Sequence, residues 1–395
     1  MAILKVMGRV KPRDLVLESP DSAASYLALS SHFVATGQSA HECRAVQVAL
    51  WQEPTDRLAH VLLGQALMRA DRYREGLVCF EQRIALSPGN GVYPSEIRRF
   101  SGDVKVDPAL ERLLLIAEMG RGDMLQFCRY APRLRRPGRS VVAVVPQDLV
   151  ALFSASDLCD HVTARLDDVQ PLSDRWLPMA ALLQIAGASR LDPKISGAYL
   201  RAPAHVRELW SRRLAAERSP AGPLIALNWA AQRWLQERDR PESRHLPLQA
   251  LMPLATLAGA RFCSVQKGPS QGLWRQLPWA DRFVTSQPAI DAETDFAVTA
   301  AILEQADACL TVDTAVAHLA GGLGVPTWIL LNAAPCWRWG VVPPGPGPSY
   351  WYDSARLIRA RAPGAWDETV DWFVRELRSC HSPITSVQEA VGKVR

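Results

Sequence analysis

Apolar positions recur along this chain with two different periods. From Ala59 to Asn90 (AHVLLGQALMRADRYREGLVCFEQRIALSPGN) they fall at helical spacing and predict helix, turn, helix. Shifting back by 34 residues sets Pro88 on Pro54, Ile84 on Leu50, Phe80 on Val46 and Leu67 on Phe33, which predicts a second unit of the same kind. An ordinary amphipathic helical region fits the same pattern. Two repeats rarely bury enough surface alone, so they are expected to pack on the next domain. From Glu111 the grammar changes. ERLLLIAEMGRGDMLQF and SVVAVVPQDLVALF each read strand, turn, helix. An Arg-rich helix near 200–222, ending in ERSPAGP, reads as a link. Apolar runs then restart at 224–230, 260–266, 282–286, 308–312, 326–332 and 354–360. Helical stretches are expected at Leu248–Leu257 and Phe296–Gln305. A closing amphipathic helix over 366–379 has Thr369, Trp372, Phe373 and Leu377 on one face. VVPPGPGPSYW is expected to be a rigid, helix-free loop, because proline lacks the amide and fixes φ. Short apolar runs alternating with helices argue for βαβ units. The predicted organisation is a lead-in (1–22), a helical repeat segment (23–105), a first α/β domain (106–215), a second (216–379) and a tail (380–395).

Composition narrows the classes. The chain has 395 residues, too many for one ordinary core. Its net charge of +5 is mild and does not suit a dedicated nucleic-acid binder. No run of about 18 apolar residues predicts a membrane span. The start, MAILKVMGRVKPRD, has no signal-peptide core of about 7–15 apolar residues, so a cytoplasmic location is expected. The eight cysteines form no CxxC and the eight histidines are dispersed. They read as buried thiols in a reducing compartment, with no zinc site expected. Only six basic residues are lysines, so a lysine inside a motif stands out.

Ligands of open parallel sheets bind beyond the carboxyl ends of the strands, so the strand-to-helix turns matter most. LTVDTAVAHLAGGLGVP (310–326) ends a strand, offers Asp313 or Thr314 as a cap, and opens a helix of small residues from Ala315. Free amides there suit a phosphate, and His318 lies one turn down from Thr314. A tightly packed capped helix with a core histidine fits equally. In SVQKGP (264–269), Lys267 can reach a phosphate or sugar hydroxyl and Gln266 a base or ribose; a solvated lysine is the alternative. In GRGD (120–123), the glycines permit unusual backbone shapes, and Asp123 can cap a helix or act as a general base. In 228–248, one of Arg233, Arg238, Arg240 and Arg244 is expected to touch a diphosphate. In PCWRWG (335–340), Trp337 and Trp339 flank Arg338, which suits stacking on a sugar or base, or a buried anchor.

Taken together, AEMGRGDMLQFCRYAP, SVQKGP, TVDTAVAHLAGGLGVPTWILL and APCWRW, in that order, resemble bacterial glycosyltransferases that join tetratricopeptide repeats to a family 9, heptosyltransferase-like core. The resemblance covers about Glu111 to Leu377. It implies an α/β fold of GT-B type, two Rossmann-like domains with parallel sheets, with the nucleotide-sugar between them. It implies Asp123, with Gly122, as the base for the acceptor hydroxyl. It implies nucleotide-sugar contacts from Gln266, Lys267, Gly268, Asp313, Thr314, Ala315 and His318, and from Trp229 and Arg244 in the loop after the first strand of the second domain. Gln126, Trp337 and Arg338 are candidate sugar or acceptor contacts. The chain departs from the relatives in two motifs: Ala231–Gln232 replaces a Gly-Asn pair, and Cys336 stands where an Asp is usual. With no DxD-like carboxylate pair, a metal-independent, cofactor-free, inverting transferase is expected, acting on a protein or peptide recruited by the repeats. The alternatives are a transferase acting on a surface saccharide or glycolipid, and a repeat-bearing scaffold with a degenerate core.

Overall fold

The computed structural model describes residues 12–86, 111–169, 175–185, 197–231, 244–340 and 343–381. Arg233, Arg238 and Arg240, Pro88 and the tail beyond His381 lie outside them. After α1 (Pro12–Glu18), helices α2 (Ala23–Ala35) and α3 (Ser39–Gln52), then α4 (Arg57–Arg69) and α5 (Tyr73–Phe80), run as successive pairs, followed by the short α6 (Arg83–Leu86). Asp56 caps α4 by accepting from the Leu58 and Ala59 amides. A Cβ on Gly64 would sit 2.6 Å from the Gly76 carbonyl, so α4 and α5 approach closely only because both positions lack one. Cys43, Val46, Ala59, Leu63, Ala66 and Leu67 form the core of this segment. Within it Arg69 donates to the buried Glu42 at 2.5 Å. Burial pushes the Glu42 carboxyl above its ordinary value, against the pull of Arg69.

The chain divides into two compact units. The first holds the helical segment, a four-stranded sheet and the described residues of 333–342. Its sheet has the order β3-β2-β1-β4, from β1 (Arg112–Ile116), β2 (Ser140–Val144), β3 (His161–Thr163) and β4 (Arg175–Pro178), all parallel. Ile116 is in register with both Val144 and Pro178, so the end of β1 lies between its neighbours' ends. Helix α7 (Arg121–Phe127) follows β1, and α9 (Leu182–Ile185) follows β4. Leu114, Ile116, Val142 and Trp176 share one core cluster.

The second unit contains α8 (Gln147–Ala155), α10 (Ala204–Ala215) and a six-stranded sheet of order β6-β5-β7-β8-β10-β9. The strands are β5 (Leu224–Asn228), β6 (Arg261–Ser264), β7 (Ala308–Val312), β8 (Thr327–Leu331), β9 (Gly345–Pro348) and β10 (Ala355–Arg359). Helices α11 (Gln287–Ala292), α12 (Phe296–Leu303), α13 (Ala315–Leu323) and α14 (Asp367–His381) complete it. Central strands β5, β7 and β8 are buried throughout, as continuous apolar runs require. The α/β class with parallel sheets and a helical N-terminal segment is the one expected.

Three local expectations need correction. The Pro-rich loop is not entirely loop: Gly345–Pro348 pairs antiparallel with β10 as the edge strand, where proline's missing amide costs no ladder bond. The run at 282–286 makes only an isolated bridge between Phe283 and Phe262. Leu248–Thr256 is a 3-10 helix with Pro253 inside it, since proline cannot supply the amide an α-helix needs there.

Both sheets have, among their parallel strands, a point where the connections change direction. In the first it lies between β1 and β4, in the second between β5 and β7. Ligands of open α/β sheets bind at such points.

Candidate functional site

At the second unit's switch point, Asn228 ends β5 in register with Thr311 of β7. Its Oδ1 accepts from Thr311 Oγ1 at 3.1 Å and from Thr314 Oγ1 at 2.7 Å. Its Nδ2 donates to Gln266 Oε1 at 2.8 Å. Gln266 Oε1 also accepts from the amides of Trp229 (3.0 Å) and Ala230 (2.8 Å), while its Nε2 donates to the carbonyls of Ala230 and Lys267. One buried, uncharged network thus fixes the loop after β5, the loop after β6 and the start of α13. Thr314 is the N-cap of α13, accepting from Val316 N at 3.3 Å. Helix geometry leaves the Ala315 amide without an intrahelical partner. Arg244, exposed, donates Nη1 to the Asp313 carbonyl at 3.2 Å, so a guanidinium sits at this helix end. The Ala231 amide donates to His245 Nδ1 at 3.0 Å, which places the imidazole proton on Nε2.

The structure therefore brings Asp313, Thr314, Ala315 and Arg244 together and ties Gln266 to them through Asn228. Lys267, His318 and Trp229 are engaged within the protein itself. Lys267 Nζ donates to the Ile290 carbonyl at 2.5 Å, near the end of α11. Burial lowers its pKa, opposed by Asp291 and Glu293. His318 is buried, with Nδ1 2.7 Å from Tyr352 Oη. Trp229 is a core side chain. Gly268 takes the left-handed φ of +78° on the exposed side of the turn. Asn228 and His245 were missed; polar side chains closing a wholly apolar strand were the available signal for Asn228.

At the first unit's switch point the polar groups are charged. Asp123 is the third residue of α7, and its Oδ2 accepts from the Gly120 amide at 3.1 Å. It does cap the helix. Its Oδ1 accepts from Arg338 Nη2, and both side chains are 13% exposed. The backbone departs from expectation: Gly120 has φ −90°, and Met119 carries the left-handed φ of +67°. Gly122 lies inside α7. Arg338 Nη1 is 2.7 Å from Cys336 Sγ, and its guanidinium lies 4.4 Å from the Trp337 ring centroid. Trp337 and Trp339 are both buried, which answers the choice between ligand stacking and anchoring in favour of the anchor. The Gln126 amide is fully buried and finds no hydrogen-bond partner among the described residues. On the β1 side, Glu118 accepts from Arg83 at 2.6 Å and from the Ala180 amide at 3.3 Å.

Among the described residues no group of His, Cys, Asp and Glu side chains could hold a metal ion, and no helix is long and apolar enough to cross a membrane.

No family model matches the chain. It is 24% identical over 338 residues to Protein FlbA of Caulobacter vibrioides, covering 79% of this chain and 53% of that protein. The chain thus spans about half the length of the curated relative it matches. Among solved structures it is similar to a glycosyl transferase family 9 protein from Veillonella parvula (TM-score 0.44, 12% identity, 70% of this chain and 91% of that one). It is also similar to ADP-heptose LPS heptosyltransferase II of E. coli (TM-score 0.43, 13% identity, 68% and 99%).

Proposed function

We propose that this protein is a glycosyltransferase using a nucleoside-diphosphate sugar. One observation carries the reading. The capped N-terminus of α13 stands at the second sheet's switch point, braced by the Asn228 network and bordered by Arg244. Helix amides, a positive dipole end and a guanidinium there suit a diphosphate leaving group without a metal. Asp313, Thr314, Ala315 and Arg244 are assigned to the diphosphate-sugar, with Gln266 and Asn228 holding their loops. Asp123 is assigned as the base that takes the proton of the attacking hydroxyl. The acceptor oxygen bonds to the sugar's anomeric carbon as the carbon–phosphate-oxygen bond breaks, and the nucleotide leaves with the electron pair, inverting the carbon. The paired helices α2–α5 resemble tetratricopeptide units and are proposed to recruit a protein or peptide acceptor. A reducing, cytoplasmic setting is proposed, from cysteines that form no CxxC and lie in apolar stretches such as RFCSV and ACLTV.

The test is a thermal-shift panel with UDP, GDP, ADP, CMP and dTDP, each with and without chelator. The reading expects one diphosphate to raise Tm, indifferent to chelator, with the shift lost in Thr314→Ala. No shift from any nucleotide at millimolar concentration overturns it in favour of a degenerate-core scaffold.

A further inference from the structure

The Asp123–Arg338 pair joins residues 215 positions apart in sequence. Arg338 reaches Asp123 because Trp337, its neighbour, is fixed. The Trp337 ring lies parallel to Phe127 of α7, with centroids 6.4 Å apart. It lies edge-on to Tyr73 (6.3 Å) and Phe80 (5.8 Å) of α5. Tyr73 Oη is 3.4 Å from the Trp337 carbonyl. A second link runs from the same helical segment to the other side of the Asp123 loop. Arg83 of α6 lies 4.7 Å from the Phe80 ring centroid and forms a buried ion pair with Glu118, two residues before Gly120. The loop that carries Asp123 is thus held at both ends by the end of the helical pairs.

We propose that Arg338 is the positioning residue for Asp123, and that helix α5, acting through Trp337, sets Arg338 in place. This rests on the reading of Asp123 as the base. A carboxylate that also caps its own helix can swing toward the Gly120 amide alone. The guanidinium draws Oδ1 the other way, so the two oxygens are oriented by different donors. Aromatic walls hold the tryptophan in one rotamer, and the arginine inherits that order. The helical segment is then a structural part of the Asp123 site as well as a recruiting surface.

The experiment uses the full chain and measures free nucleotide released from UDP-N-acetylglucosamine, UDP-glucose, GDP-mannose, ADP-glucose and dTDP-glucose. Water is the acceptor: its oxygen bonds to the anomeric carbon, its proton passes to Asp123, and the nucleotide leaves with the electron pair. Arg338→Met is expected to lower kcat by about a hundredfold, the scale of an ångström of misplacement, with nucleotide affinity unchanged. Arg338→Lys is expected to recover part of kcat, and Phe80→Leu to lower kcat in the same direction by a smaller factor. A structural role alone moves Tm and leaves this kcat-against-affinity split unseen. If Arg338→Met fails to fold, the lysine and leucine variants carry the test. Wild-type kcat in the Arg338 variants, with Asp123→Asn inactive, overturns the positioning role and leaves the function intact. Wild-type kcat in Phe80→Leu overturns the part played by α5. An inactive wild type, or a fully active Asp123→Asn, overturns the function itself and this inference with it.

Discussion

The two switch points solve the same placement problem with opposite chemistry. In the second unit Asn228, Thr311, Thr314 and Gln266 are joined by neutral hydrogen bonds among the ends of three adjacent strands. In the first unit a carboxylate and a guanidinium meet across 215 residues of sequence. A neutral network can be buried at little desolvation cost, stays in one arrangement and leaves the helix amides and Arg244 as the positive features. That suits binding of an anion. A half-buried ion pair holds a titratable group in a defined direction, and that suits proton transfer. Under the proposed function, affinity belongs to one loop set and turnover to the other.

The largest effect expected separates those assignments. Asp123→Asn keeps the size of the side chain and an acceptor for the Gly120 amide. It should lower turnover by about 10²–10⁴ while leaving nucleoside-diphosphate affinity within about twofold, read by steady-state kinetics and calorimetric titration. A parallel loss of affinity would erase the contrast between the loops.

Asn228→Ala is the reciprocal case. It leaves the Thr311 and Thr314 hydroxyls and the Gln266 carbonyl without their shared partner. The expected cost is about 1–3 kcal/mol in urea denaturation, with nucleotide affinity down by about tenfold. Nucleotide that still binds is expected to be turned over normally, because Asn228 makes no contact with Asp123, the proposed base. Gly321→Ala tests the support beneath α13. A Cβ there would come 2.4 Å from Tyr352 Cγ, the ring whose hydroxyl meets His318. Overpacking of this kind costs about 1–3 kcal/mol and should lower Tm, with a smaller loss of affinity than Asn228→Ala.

Much of the scaffold was legible because its cause is local. The apolar runs at 224–230, 308–312 and 326–332 hold the three central strands, Leu224–Asn228, Ala308–Val312 and Thr327–Leu331, and Thr314 caps α13 as its position before a helix of small residues implies. What failed depended on partners far away. Phe283 lies in a strand-like run, yet pairs only once, with Phe262. Gly345–Pro348 reads as loop, yet an edge beside β10 accepts it. Lys267 stood out by rarity, and its ammonium found a carbonyl 23 residues on. Arg338 has no local signal for Asp123; only the return of its segment to the first unit joins them.

The smallest effect separates the units by pH. In the second unit Glu217 is raised by partial burial, but hydrogen bonds from the side chains and amides of Ser286 and Thr285 outweigh that and hold it below the ordinary 4.5. In the first unit burial holds Glu42 above 4.5 despite Arg69. The signs are therefore opposite. Stability from Glu217 is fully present above pH 4.5 and is lost as pH falls through its lower folded value. The penalty for ionised Glu42 is fully present above its raised folded value and is relieved as pH falls toward 4.5. Comparing each glutamine variant with wild type by urea denaturation across pH 3–7 separates the two, and about 1 kcal/mol is the ceiling for the partly exposed Glu217. The cost of Glu217→Gln should shrink as pH falls, because a protonated Glu217 has already lost its advantage. The cost of Glu42→Gln should grow over the same direction, because the wild type alone gains from protonation. Parallel curves would show that one of these carboxylates is set by something other than its burial and its named partners.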